Sequence, residues 1–190
     1  MSIVLYLGGN IKEYEEKSEG IIRQVISNGK ICCERCLQRM SIHSHYKRVI
    51  KETGELIAIT IVWCSTCRKW HALLPDFLLP HKHYSGNEVE GVIIDSATEA
   101  VSQIETSASE STVRRWIQQI SGRIRQAVGI LKYLFGQVGQ MVSEIIIDPG
   151  TCYNELEQIL EMAPNEIKCS GNKLGMANIW LRTTGTSLYI

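Results

Sequence analysis

Two Cys-x-x-Cys pairs, Cys33/Cys36 and Cys64/Cys67, constrain this chain more than any other feature. A Cys-x-x-Cys turn points both sulfurs at one spot. If the intervening chain doubles back on itself, the second turn lands beside the first and four thiolates satisfy a tetrahedral cation. That intervening stretch is built to double back. "SIHSHYKRVI" and "ELIAITIVW" are rich in β-branched and aromatic residues, and "KETG" separates them, which predicts a β-hairpin bracketed by the two knuckles. The soft, all-sulfur donor set favours zinc, although a rubredoxin-like iron site uses the same ligands.

Other donors compete for the site. Cys32 would need a spacing of three, so two identical knuckles leave it as a small packing residue on the strand entering the first. His71, shortly after Cys67, could make a Cys3His set but reads mainly as part of a connector. Redox dithiols sit at the start of a helix after a strand, whereas these pairs are flanked by strands. His43 and His45 alternate on one strand face, and His81 and His83 do likewise further on; both pairs read as solvated or packing residues. Cys152 and Cys169 have no partner at knuckle spacing. A four-thiolate zinc has no open coordination position, so the expected role is structural: it holds a hairpin with too little core of its own.

The seven cysteines are an odd number, and four fall into knuckles; an exported disulfide framework would use even, dispersed cysteines. "SIVLYLGG" is too short for a membrane span and lacks the basic start of a secretory signal. A cytoplasmic protein with no membrane association is therefore expected.

At 190 residues the chain can hold one domain or two small ones. Residues 1 to about 30 read as a strand and an amphipathic helix stopped by Asn28-Gly29. After Cys67, two prolines in about twenty residues, Pro75 and Pro80, exclude a long helix and suggest an extended connector, with a boundary near residues 80 to 87. From Val89, apolar residues recur at helical spacing through Ile93, Ala97, Ala100, Val101 and Ile104. "ETSASEST" interrupts, and Val113, Trp116, Ile117 and Ile120 resume. Two helices joined by a short polar turn, then a third helix or a continuation, a turn at "DPG" (148–150) and a helix in "YNELEQILEMA" complete the outline. The expected class is α+β: a zinc-ribbon β-hairpin domain over residues 1–83 and a helical helix-turn-helix domain over 84–190.

Formal net charge is zero, so a nucleic-acid surface must be local. Residues 111–133 carry Arg114, Arg115, Arg123, Arg125 and Lys132 and no acid. Ser107 and Glu110 have capping-box spacing, so a helix can begin just after Ser107. Opposite its apolar stripe it presents Ser111, Thr112, Arg114, Arg115, Gln118 and Gln119, side chains suited to phosphates and base edges. With Arg123 these are the candidate contacts to double-stranded DNA. The competing reading is a solvated charged face on an ordinary helix. Lys30, Arg35, Arg39, Lys47, Arg48, Lys51, Arg68 and Lys69 add a basic set around the hairpin.

Cys33-x-x-Cys36, "HYKR", Cys64-x-x-Cys67, "HALLPDFLLP" with "YS", and "STVRRW" together resemble bacterial proteins, and N-terminal regions of insertion-sequence transposases, that join a zinc ribbon to a helix-turn-helix. The resemblance covers roughly residues 30 to 120. It implies DNA binding linked to mobile elements, as a regulator or accessory factor, with zinc on the four cysteines and Arg114 and Arg115 on the reading helix. About seventy residues beyond are too few for a ribonuclease-H-like domain, and Asp95, Asp148 and Glu155 do not replace its three acids, so no enzyme is expected. A nuclease ranks last, because no His-Asn-His-like arrangement lies between the knuckles. The alternative is a zinc-ribbon protein-interaction module, for which "KWHALLPDFLL" would supply the docking surface. Homodimerisation would fit, since helix-turn-helix proteins commonly read paired half-sites.

Overall fold

The computed structural model describes residues 2–33, 35–137, 152–163 and 171–184. The class is α+β, as expected. Strands β1 (Ser2–Leu5), β2 (Ser41–Val49), β3 (Leu56–Cys64) and β4 (Lys69–Pro75) form one sheet in the order β1-β4-β3-β2. The predicted hairpin is β2–β3, antiparallel from Val49↔Leu56 to Ser41↔Trp63, with a register shift between Ile42 and Ser44.

The proline-rich connector is a correction to the sequence reading. Its first half is β4, paired antiparallel to β3 and parallel to β1. Pro75 is tolerated because it stands at the strand's last position, where a missing N–H costs little. "HALLPDFLLP" is buried almost throughout: Leu73, Leu74, Phe77, Leu78 and Leu79 all lie in the interior. The apolar segment that suggested a protein-docking surface is therefore spent on the protein's own core.

Helix α1 (Ile11–Ser27) starts at Asn10, whose side chain accepts the Glu13 N–H, and lies over the sheet with the Tyr14 hydroxyl donating to Ala58 O at 2.8 Å. It enters through Gly8, at φ 134°, where an added Cβ would stand 2.8 Å from Tyr14 N; only glycine fits there. Ile3, Leu7, Tyr14, Ile22, Ile57, Ile59, Val62 and Leu73 make the core between helix and sheet. The hairpin thus shares a substantial core with α1, contrary to the expectation that it has too little core of its own.

A second core is helical. Helices α2 (Gly86–Asp95), α3 (Glu110–Gln137), α4 (Cys152–Glu161) and α5 (Lys173–Leu181), the last running into a 3-10 turn at Arg182–Thr184, surround Val89, Trp116, Ile120, Ile124, Leu131, Phe135, Leu156 and Leu174. The stripe predicted from Val113 onward is buried and continues without a break through α3. Tyr153, Leu156, Ile159 and Leu160 face inward on α4, as the spacing predicts. The Glu90 carboxylate gathers the Tyr153 hydroxyl and the N–H groups of Lys173 and Leu174, joining α2 to α4 and α5. The turn expected at 148–150, Asp148 and Cys169 lie outside the described residues.

Helix α2 ends at Asp95, short of Ile104, and residues 96–109 form an irregular connection in place of a short polar turn. Ser107 does not cap α3. Its N–H and hydroxyl donate to Glu88 Oε1 at 3.0 and 2.9 Å, and Thr106 donates to the same oxygen at 2.7 Å. The N–H groups of Thr112 and Val113 instead reach back to Ser109 O. Burial alone would raise the Glu88 carboxyl, but these hydrogen bonds outweigh it and hold it below the usual range.

Backbone and side-chain bonds join the two cores across a narrow seam. Arg48, counted above among basic surface residues, is buried and donates to Leu79 O at 2.8 Å. Lys51 N–H donates to His83 O at 2.8 Å, and Gly86 N–H to Phe77 O at 2.7 Å. Helix α5 comes so close that a Cβ on Gly175 would lie 2.0 Å from Asp76 O.

Gly175→Ala must therefore push α5 off the sheet and should cost on the order of 3 kcal/mol, read as a lower denaturation midpoint. Glu88→Gln should destabilise the protein at neutral pH. A depressed carboxyl contributes stability above its unfolded pKa and loses it on acidification, so the gap to wild type should close as pH falls through the carboxylate range.

Candidate functional site: a four-cysteine centre and a cationic cleft

The first knuckle folds as a tight loop between α1 and β2: Cys33 N–H donates to Gln38 O at 2.9 Å and Leu37 N–H returns to Cys33 O at 2.8 Å. The second joins β3 to β4, with Cys67 N–H donating to Cys64 Sγ at 3.4 Å. In both, the residue after the second cysteine is left-handed, Leu37 at φ 58° and Arg68 at φ 52°. Two loops with the same non-glycine strain carry their sulfurs to one point.

The Sγ atoms of Cys33, Cys36, Cys64 and Cys67 lie within 4.8 Å of one another, and Cys36 and Cys64 are 3.4 Å apart. Bonds of about 2.3 Å in a tetrahedron separate sulfurs by about 3.8 Å, so the cluster fits a metal ion. Cys33 and Cys64 are buried while Cys36 and Cys67 reach the surface, leaving an entry path from one side. The thiols do not ionise independently. Burial pushes Cys33 up, but the N–H groups of Arg35 and Cys36 and the neighbouring thiols outweigh it and bring it down to about 7. Cys67 is pushed up to about 12, chiefly by its hydrogen bond to Cys36 and then by burial. Binding of a cation would draw the raised thiols Cys64 and Cys67 into the thiolate form.

The two competing donors take other places. The Cys32 thiol donates to Gly29 O at 3.4 Å, outside the cluster. His71 is buried on β4 with Nε2 3.7 Å from Cys33 Sγ, beside the ligand set, where an N–H···S contact would orient the sulfur. Burial holds its imidazole below the usual histidine range.

The candidate DNA contacts lie on the first half of α3 in two groups. Ser111, Arg114 and Gln118 are exposed, and Arg114 is held by Glu110 at 2.5 Å. Thr112, Arg115 and Gln119 turn toward the seam, where they line a cleft of about 280 Å³ with Lys51, His81, Lys82, His83, Tyr84 and Trp116. Arg123 is half-buried and close enough to depress Lys82.

Sequence reasoning missed this cleft because its two walls come from opposite sides of the seam. Tyr84 stands edge-on to Trp116 at 4.9 Å between ring centroids, and the Lys51 ammonium lies 5.6 Å above the Tyr84 ring. Lys82 Nζ donates to Gln119 Oε1 at 2.8 Å. Burial, then the charges of Arg115 and Arg123, pull the Lys82 ammonium below its ordinary range. His81 is left-handed at φ 59°, a strained conformation in a residue that lines the cleft. No aspartate or glutamate lines it. The sequence alone marks Thr112, Arg115 and Gln119 on one wall and Lys51 on the other without joining them, and there His81 and His83 read as solvated or packing residues.

Residues 33–116 match the model of a protein family described as a domain of unknown function (DUF6431). The match begins at the first cysteine of the cluster and closes on Trp116 in the cleft wall. No curated protein and no solved structure matches the chain. Among the described residues no helix is long and apolar enough to cross a membrane.

Cys64→Ser should abolish stoichiometric metal retention and lower the melting temperature. Because the sheet has its own core, most far-UV helical signal should survive below the new midpoint. Leu37→Gly relieves a left-handed non-glycine at a side chain 76 % exposed; it should raise stability by about 0.5–1 kcal/mol, measured by denaturant titration of the metal-loaded protein.

Proposed function

We propose that this is a zinc-stabilised DNA-binding protein that grips the phosphate backbone of duplex DNA in the cleft at the seam and presents the first half of α3 to it. The sequence resemblance to zinc-ribbon and helix-turn-helix regions of insertion-sequence transposases would make its role that of a regulator or accessory factor of a mobile element. The observation that carries the reading is the cleft itself: Lys51, Lys82 and Arg115, with His81 and His83, converge with no acid among the lining residues. Lys82 is half-buried and its ammonium is depressed by burial and by the nearby charges of Arg115 and Arg123, so an anion entering the cleft meets a concentrated positive field. Thr112 adds the first turn of α3, where the helix dipole is positive.

Zinc is the ion that best suits four thiolates at tetrahedral spacing. Four-thiolate zinc has no open position with which to activate water, so the protein acts by binding. The family match supports treating ribbon and cleft as one unit, because residues 33–116 contain all four cysteines together with Lys51, Lys82 and Arg115. DNA recognition here does not need a tight helix-turn-helix, which the connection over 96–109 does not provide. Arg115 and Gln119 sit at the cleft, whereas Arg114 must first leave Glu110.

The metal-loaded protein should bind duplex DNA with an affinity that falls steeply with salt. Arg115→Ala and Lys82→Ala should each weaken it and reduce the slope of log affinity against log salt by about 1; Arg114→Ala should do less. Duplex binding that is absent, or indifferent to both cleft substitutions, would sink the reading. Elemental analysis should find one equivalent of zinc.

A further inference from the structure

The metal-bearing end of the sheet carries a feature that the cleft does not use. Trp63 on β3 and Trp70 on β4 are directly opposed in the ladder, with ring centroids 4.1 Å apart and planes at 44°. Across the hairpin, the register shift between Ile42 and Ser44 leaves His43 outside the regular pairing. Its ring stands edge-on to Trp70 at 4.1 Å. An irregularity of this kind re-aims one side chain, and here it adds a third ring to the tryptophan pair. Trp70 remains 47 % exposed and His43 is exposed, while Trp63 is half-buried.

The strands that bear these rings carry only basic charges, although Glu19 of α1 lies close enough to His45 to feel its charge. Residues 35–51 and 56–75, which make up nearly all of β2, β3 and β4, contain no aspartate or glutamate. Arg68 and Lys69 are exposed immediately before Trp70, and His45 and Lys47 are exposed along β2. An apolar partner would be served by the rings alone and would gain nothing from the cations of Arg68 and Lys69 beside them. A ligand with flat π faces joined by negative charges uses both parts, because bases stack on aromatic rings while phosphates meet the cations. In a duplex the base faces are already covered by their neighbours, so the matching ligand is unpaired.

We propose that His43, Trp63 and Trp70 form a stacking platform for bases of an unpaired DNA strand, with Arg68 and Lys69 taking its phosphates. The choice of DNA rests on the function proposed above; the platform itself is separate from the cleft. The metal centre would brace it, since Cys64 directly follows Trp63 and the second knuckle joins the two tryptophan-bearing strands.

The test uses the metal-loaded full chain with three labelled probes: an oligothymidylate strand, an oligouridylate strand and a duplex. Binding is read by anisotropy and stacking by intrinsic tryptophan fluorescence. Oligothymidylate should bind and quench the tryptophan signal. Trp70→Ala should weaken that binding at least about fivefold and leave duplex affinity unchanged, Trp70→Phe should retain most of it, and Arg115→Ala should impair the duplex selectively. Metal content and far-UV circular dichroism equal to wild type establish that the variants are folded. Oligothymidylate binding without quenching, no binding at all, or wild-type affinity in both Trp70→Ala and Trp63→Ala would overturn the platform. Tighter binding of oligouridylate would overturn the assignment to DNA. If duplex binding fails while strand binding still requires Trp70, the cleft reading falls and the platform stands.

Discussion

Four sulfurs within 4.8 Å of one another are the constraint that organises the polar end of the sheet. The first knuckle ties the chain leaving α1 to the start of β2, and the second ties β3 to β4. Because the two sulfur pairs must meet, the strand ends that carry them must meet as well. This pins the register in which Trp63 faces Trp70 and sets His71 beside Cys33. The strain at Leu37 and Arg68 persists because the loops are fixed at both ends.

The rest of the molecule divides work with that centre. A closed four-thiolate zinc would have no open position for a ligand, so the binding surfaces proposed for this chain lie elsewhere. Two regions combine cationic groups with few acids. One is the cleft at the seam, where Lys82 is drawn below its ordinary range between burial and the charges of Arg115 and Arg123. The other is the aromatic end of the sheet. The cleft depends on the seam, because the buried Arg48 fixes Leu79 and the Lys51–His83 backbone bond brings the ribbon to α3. Duplex phosphates in one region and unpaired bases on the other would suit a protein working where DNA is partly opened.

Much of this was legible in residue order. The knuckles, the hairpin, α1 with its stop at Asn28-Gly29, and the buried stripe of α3 follow from spacing and periodicity, which are local properties. The errors came where a partner distant in sequence decided the outcome. "KWHALLP" became a strand because β1 and β3 flank it, and a neighbourhood containing Pro75 and Pro80 gave no hint of that pairing. Ser107 lost its capping role because Glu88 offered a charged acceptor for both its N–H and its hydroxyl. Arg48 looked like a surface base until Leu79 supplied a buried carbonyl for it.

The sequence alone determined which sulfurs could meet, because Cys-x-x-Cys turns fix ligand direction within four residues whatever surrounds them. It also determined that α3 would have one apolar and one basic face, since helical geometry maps spacing onto faces. Only the tertiary structure decided where the basic face would point. Arg115 and Gln119 meet Lys82 across the seam, and His43 meets Trp70 across a sheet irregularity. Such meetings depend on packing between segments that carry no mark of each other in the chain.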